Sequence, residues 1–218
     1  MVCLRLEFVG LYLVLPTLLM TARLTGCVVP VLPMLWMAAL PATLYLVKCR
    51  RWSIRDLVGV VPDRRQLAGM ALRFVAAALI LSVGILLIEP GGFMLLPRRD
   101  LRLWALVMFF YPMLSVVPQG ILYRALFYER YAVLFRNETS RTLAAAAVFS
   151  LAHLIFANVW AVGLTLVGGF LINRTYLKSG SMLVANIEHA VYGQLAFTTG
   201  WGLFLYHGTI RLIETASW

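Results

Sequence analysis

Apolar stretches long enough to cross a bilayer alternate along the chain with short polar connections, and polar side chains interrupt only some of them. Residues 8–22 and 27–47 read as the first two spans, Pro16 being tolerable where neighbouring helices satisfy the carbonyl it frees. The connection 48–66, KCRRWSIRDLVGVVPDRRQ, sets Lys48, Arg50, Arg51, Arg55, Arg64 and Arg65 against Asp56 and Asp63. That excess of Lys and Arg predicts a cytoplasmic segment and orients the later spans. Residues 67–88 return across the membrane, with Arg73 near the cytoplasmic end where its stem can snorkel, and EPGG at 89–92 ends the span. The loop to Arg102 is then external. Residues 103–117 run inward; Pro118 and Gly120 each favour a kink or a fresh start, so the pattern leaves open whether PQGILYRALFYERYAVLF continues the same helix. NETS at 137–140 marks a second cytoplasmic connection, with Thr139 or Ser140 placed to cap the next helix. Spans at 143–156, 160–172, 182–197 and 202–213 complete a predicted all-α bundle of about eight transmembrane helices, with Asn173, Arg174 and Lys178 in a third cytoplasmic patch and SGS at 179–181 restarting the chain.

Composition agrees with the pattern. Of 218 residues 62% are hydrophobic and 13% charged, against roughly 25% charged in an ordinary soluble domain, and the mean hydropathy is +0.87. At about 20 residues per span the whole length, 1–218, is used by one integral membrane domain. The net charge of +10 does not point to nucleic acid: the cations sit between apolar stretches, where they meet anionic lipid headgroups, so the partner they imply is the lipid bilayer. Cys3, Cys27 and Cys49 are scattered and odd in number, which excludes a disulfide framework or a cysteine zinc site; Cys49, in KCRR, is a position open to acylation. The N-terminal run lacks a small-residue cleavage site and is retained as a span. No internal repeat is visible, so an inverted-repeat transporter, the third function class open to such a chain, has no support.

The chemistry is confined to 119–193. There Gln119 and Arg124 in VVPQGILYRALF, His153 in AVFSLAHLIF, and Glu188 and His189 in SMLVANIEHAVYGQLAF stand in membrane-grade sequence, where ionisable groups are expensive and mark function by default. Arg124 is permanently charged and needs an anionic or carbonyl partner. Two histidines with a carboxylate can form a three-ligand zinc site with an open position, or an acid/base and oxyanion-stabilising pair. The plainer reading of either histidine is a buried neutral imidazole bonded to a backbone carbonyl. Glu188 and His189 point about 100° apart on a helix, so at most one faces a given centre directly, and Glu188 is equally able to pair with Arg124 or to hold a helix contact. His207 reads as interfacial.

The order of these residues resembles the CPBP family, the CAAX-protease and bacteriocin-processing intramembrane proteases that include the Ras-converting endopeptidase. The resemblance covers about 104–207, with 1–100 as additional N-terminal spans. The family's motifs are E-E-x-x-x-R, F-x-x-x-H and H-x-x-x-N or a variant. Arg124 matches the first motif's Arg, Phe149 and His153 the second, and His189 the third motif's His. The resemblance implies a helical bundle of about eight spans in a bacterial or archaeal cell membrane, with a polar cavity opening toward the cytoplasm. It also implies an activity: an endopeptidase that cleaves membrane-attached or lipidated peptides by a water activated in a buried site, where the first Glu and the second-motif His act on water while the last His and Asn hold the oxyanion.

The departures fall on the acid/base side. Gln119 and Gly120 replace both motif-one carboxylates, and Gly193 stands where the last Asn is expected. A glutamine amide takes no proton from water near neutral pH, so a general base worth roughly 10² to 10⁴ in rate is missing from its place. The expected site is therefore His153, His189, Arg124, Gln119 and Glu188, with Glu188 the substitute base or charge partner. The alternative is a catalytically impaired pseudoprotease that binds membrane proteins or peptides without cutting them. No cofactor is required on the resemblance; a zinc ion is conceivable only if Glu188 joins the two histidines.

Overall fold

The computed structural model describes residues 1–50, 52–53, 56–57, 59 and 62–205. Among them the regular structure is helical, as it must be where no water is at hand to satisfy backbone groups between segments. In chain order the helices are α1 (Val2–Leu24), α2 (Val31–Cys49), α3 (Arg64–Ile88), the short α4 (Leu95–Arg99), α5 (Leu101–Leu134), α6 (Glu138–Phe156), α7 (Val159–Ser179), α8 (Met182–Thr199) and the short α9 (Gly202–Leu205). Five of them, α1, α2, α3, α5 and α6, are long and apolar enough to cross a membrane. α7 and α8 have 21 and 18 residues, enough at about 1.5 Å per residue, but carry polar side chains such as Asn173, Asn186 and Glu188 that lower their hydropathy. The chain is a helical membrane bundle. The expected span 202–213 and His207 lie outside the described residues beyond Leu205.

α5 runs unbroken through Pro118 and Gly120 for 34 residues. Proline is absorbed because the helix widens to a π turn just ahead of it: Pro112–Val116 precedes Pro118 as Gly10–Val14 precedes Pro16 in α1. A wider turn gives the ring room against the preceding carbonyls. Two more π turns, Ile121–Ala125 and Phe127–Tyr131, come next, and Arg124 lies in the first of them. The Tyr12 hydroxyl donates to the Leu122 carbonyl at 2.6 Å, fixing α1 against this loosened stretch.

Side-chain caps set most other boundaries. Asp63 and Gln66 form a reciprocal capping box at α3, Asp100 caps α5, Asn158 caps α7 and Ser181 caps α8. At α6 the cap is Asn137 rather than Thr139 or Ser140; Ser140 is its capping-box partner three residues on. Outside the spans, the backbone N–H and hydroxyl of Ser53 donate to Asp56 and hold its carboxyl below the ordinary carboxylate range.

The helices alternate in direction. At one end Met94 N–H donates to the Thr199 carbonyl, Trp104 to Thr198 and Asn158 to the Phe204 carbonyl. Gly200, at φ +116°, sits so close to the Gly92 carbonyl that a Cβ would collide with it. At the other end Arg130 of α5 holds Glu7 of α1 through Nε and Nη2 (2.6 and 2.5 Å) and Tyr45 of α2 at 2.8 Å, while Gly59 packs on Gly180 and Ser181. The aromatic core at this second end, with Tyr12, Phe127 and Tyr131 buried together, binds α1 to α5.

Candidate active site

Arg124 has about 1% of its surface exposed, and burial at that level requires hydrogen-bonded partners. It finds them on α8: Nη2 donates to Asn186 Oδ1 at 2.8 Å and to His189 Nδ1 at 3.2 Å. Asn186 and His189 are three residues apart and so share a face. Glu188, between them in sequence, turns away. Its Oε1 accepts from Arg73 Nε (3.0 Å) and Nη2 (2.8 Å) and from the Tyr192 hydroxyl (2.8 Å), and Arg73 Nη2 also donates to Thr175. Arg73 is thus an interhelical partner of Glu188 and not a snorkelling side chain, and Arg124 is matched by an amide and an imidazole instead of a carboxylate.

Arg124 also fixes the protons of His189. A guanidinium has only donors, so Nδ1 of His189 is the acceptor, and the neutral ring carries its hydrogen on Nε2. Nε2 lies 3.4 Å from the Tyr111 hydroxyl of α5. Tyr111 stands where a side chain at Gly193 would be: a Cβ there would run into the tyrosine ring. The place expected of the motif-three Asn is therefore filled by a residue 82 positions earlier in the chain (193 against 111).

His153 lies near the end of α6, where the helix tightens to a 3₁₀ turn over Ala152–Phe156 and stops at Ala157, φ +53°. Its Nδ1 donates to the Phe149 carbonyl at 2.8 Å, the plain backbone bond open to a buried histidine, and this leaves Nε2 as the acceptor nitrogen. The Phe149 ring lies between the two imidazoles, with centroids 4.8 Å from His153 and 5.2 Å from His189. Gly169 of α7 admits it: a Cβ there would stand 2.8 Å from Phe149 Cδ1. The F-x-x-x-H spacing thus supplies both the carbonyl that orients His153 and the ring that spaces it from His189.

These groups meet at one cavity of about 1300 Å³, larger than the roughly 300–1,000 Å³ of ordinary small-molecule pockets. Tyr111, Ser115, Gln119, His153, His189 and Arg73 are among its polar lining residues, and Leu, Val, Ile and Phe side chains of α1, α2, α3, α5, α6 and α7 supply much of the rest. Gln119 is buried; Nε2 donates to Ser115 Oγ at 2.7 Å, and Oε1 has no partner among the described residues. Glu188, Asn186 and Arg124 do not line the space.

Two expectations conflict here. The cavity reaches Arg23 and Gly26–Pro30 at the first end of the bundle, and none of the described residues of 48–66 or 129–141 lines it. Lys48, Arg50, Arg64, Arg65, Arg136 and Arg141 mark the second end, against Arg23, Arg98, Arg99 and Arg102 at the first. A cytoplasmic 48–66 connection and a cavity opening toward the cytoplasm exclude each other. The zinc set does not fit either: Glu188 is committed to Arg73, Nδ1 of His189 to Arg124, and among the described residues no group of three or more His, Cys, Asp or Glu side chains is placed to hold a metal ion.

Sequence reasoning brought out Arg124, His153, His189 and Gln119, but passed over Tyr111 and Asn186 and misassigned Arg73. Asn186 left a visible signal, a polar amide in an apolar stretch three residues before His189. Tyr111 left none, since a tyrosine in an aromatic-rich span is unremarkable.

Fold and site together define a helical membrane protein with a buried polar centre on a large apolar cavity. Residues 101–195 match the family model described as Type II CAAX prenyl endopeptidase Rce1-like, in agreement with the CPBP resemblance, and that segment holds the positions of all three motifs. No curated protein and no solved structure matches the chain.

Proposed function

We propose that this chain is an intramembrane peptide hydrolase that admits a membrane-attached or lipidated peptide to the cavity and cleaves it there. The observation carrying this reading is the arrival at one apolar space of an acceptor nitrogen, His153 Nε2, and a donor edge organised by Arg124 and His189. Attack by water on the peptide carbonyl would transfer a proton from the water to His153 Nε2. Collapse of the tetrahedral species would break the C–N bond as that proton passes to the leaving amine, so water and peptide give acid and amine. Gln119 Oε1 can accept a hydrogen bond from the water and orient it, but takes no proton. Turnover is accordingly slow, short of the roughly 10² to 10⁴ that a carboxylate base supplies.

The charge distribution favours placing the second end of the bundle in the cytoplasm, so that substrate enters from the opposite side or laterally from the bilayer. A second reading, a binding protein that does not cut, has its own support in the amide of Asn186 beside Gly120, where the family carries a carboxylate. Purified full-length protein in liposomes, presented with a library of lipid-anchored peptides, separates the two. Cleavage lost in both His153→Ala and His189→Ala supports hydrolysis. Cleavage that survives both changes disproves this site, and saturable binding without any cleavage supports the second reading.

A further inference from the structure

The direction of the hydrogen bonds leading away from Arg124 has a consequence for Tyr111. Arg124 Nη2 donates to His189 Nδ1 at 3.2 Å, since a guanidinium has no acceptor to offer. His189 then presents Nε2–H toward the Tyr111 oxygen at 3.4 Å, so that oxygen is the acceptor. The hydroxyl's own hydrogen is left over: among the described residues no acceptor takes it. Tyr111 lines the cavity, and its ring is held edge-on by Phe197 at 5.4 Å and admitted by the bare Cα of Gly193.

From this geometry we propose that Tyr111 is a catalytic residue: its O–H is the donor the cavity presents to the carbonyl oxygen of a bound acyl or peptide group. The chemistry rests on the hydrolytic reading above. Accepting from an imidazole N–H whose far side is bonded to a guanidinium polarises the hydroxyl and strengthens its donation. A donor fixed before the reaction and aimed at developing oxyanion charge requires no reorganisation as that charge forms. Tyr111 thereby takes the place of the amide that Gly193 lacks, and His189 acts through it as a positioning residue.

The test uses full-length protein in lipid nanodiscs. Tyr111→Phe keeps the ring on Phe197 and over Gly193 and removes only the hydroxyl, so the fold should be retained, with the unfolding midpoint lowered by no more than the one hydrogen bond that His189 loses. With a peptide that the parent cleaves, kcat is expected to fall about 10² to 10³-fold with KM within about threefold. Retention of kcat while His153→Ala abolishes cleavage overturns the role of Tyr111 and leaves the hydrolytic reading standing. If the parent cleaves nothing, that reading fails by itself, and binding of an N-dodecanoyl dipeptide aldehyde decides for Tyr111. A roughly tenfold loss of affinity in Tyr111→Phe supports the donor role; equal affinity, or no binding to the parent, overturns it. A ¹⁵N-histidine spectrum gives a readout free of any ligand: the proposal needs His189 protonated on Nε2, and a proton on Nδ1 instead overturns it. Gly193→Ala, which displaces the ring while keeping the hydroxyl, should reproduce the kcat loss; full activity in that variant also counts against the proposal.

Discussion

The side chain of Asn186 occupies the space beside Gly120 into which a Cβ would project: Nδ2 lies 2.9 Å and Cγ 3.0 Å from that position. Two helices have exchanged volumes there, glycine on α5 for an amide on α8, and the same amide accepts from Arg124. Gly120→Glu by itself therefore has no room. It is expected to lower stability by about 1–3 kcal/mol through overpacking, read as the midpoint of chemical unfolding in detergent. Gly120→Glu combined with Asn186→Ala frees the space and brings a carboxylate beside Arg124. If hydrolysis lacks only its base, the combined variant, with Gln119→Glu added, raises cleavage; a Gly120→Glu protein as stable as the parent would contradict the packing.

Glu188 and Arg73 are tied across α8 and α3. Because Glu188 is almost completely buried, removing its partner leaves an uncompensated carboxylate. Arg73→Ala is predicted to cost about 3 kcal/mol, the lower figure being set by the partial exposure of Arg73. The paired change Arg73→Met with Glu188→Leu should recover most of that loss. Unfolding of the three proteins side by side checks it, and a neutral Arg73→Ala would show that the pair contributes nothing.

The cluster of Glu7, Arg130, Tyr131 and Tyr45 has better geometry but lies nearer solvent, Glu7 being 42% and Arg130 29% exposed at the side chain. Screening there limits its worth, so Glu7→Gln is expected to cost no more than about 1 kcal/mol, less again in high salt. A loss as large as that of Arg73→Ala would mean that α1 depends on this contact.

Orientation can be read from the native thiols. Cys27 is exposed at the first end, in the lining of the cavity, whereas Cys3 and Cys49 are exposed at the second. With the arginine-rich end in the cytoplasm, a membrane-impermeant maleimide added to intact cells should label Cys27 and reach Cys3 and Cys49 only after permeabilisation. The reverse pattern would place the cavity mouth in the cytoplasm and set the positive-inside rule aside for this chain.

Much of this was legible from residue order. Apolar length predicted helices, the cost of burying ionisable groups selected Arg124, His153 and His189, and motif spacing placed Phe149 as the neighbour of His153. Boundaries were less legible where local signals compete. Pro118 and Gly120 both argue for a break in α5, yet π turns carry the helix through them. Ser140 and Thr139 both suit an N-cap, yet Asn137 takes it.

The sequence by itself determined a helical membrane chain and which costly side chains it buries, because both depend on transfer of groups out of water, a property each residue carries with it. It could not determine their partners. Asn186 and His189 reach Arg124 from 62 and 65 positions away, Tyr111 reaches His189 from 78, and Arg73 reaches Glu188 from 115. Helix periodicity ranks neighbours only three or four residues apart. Which face of α8 meets α5 and which meets α3 is decided by the packing of whole helices, and that packing gave Glu188 to Arg73 and left Arg124 to an amide and an imidazole.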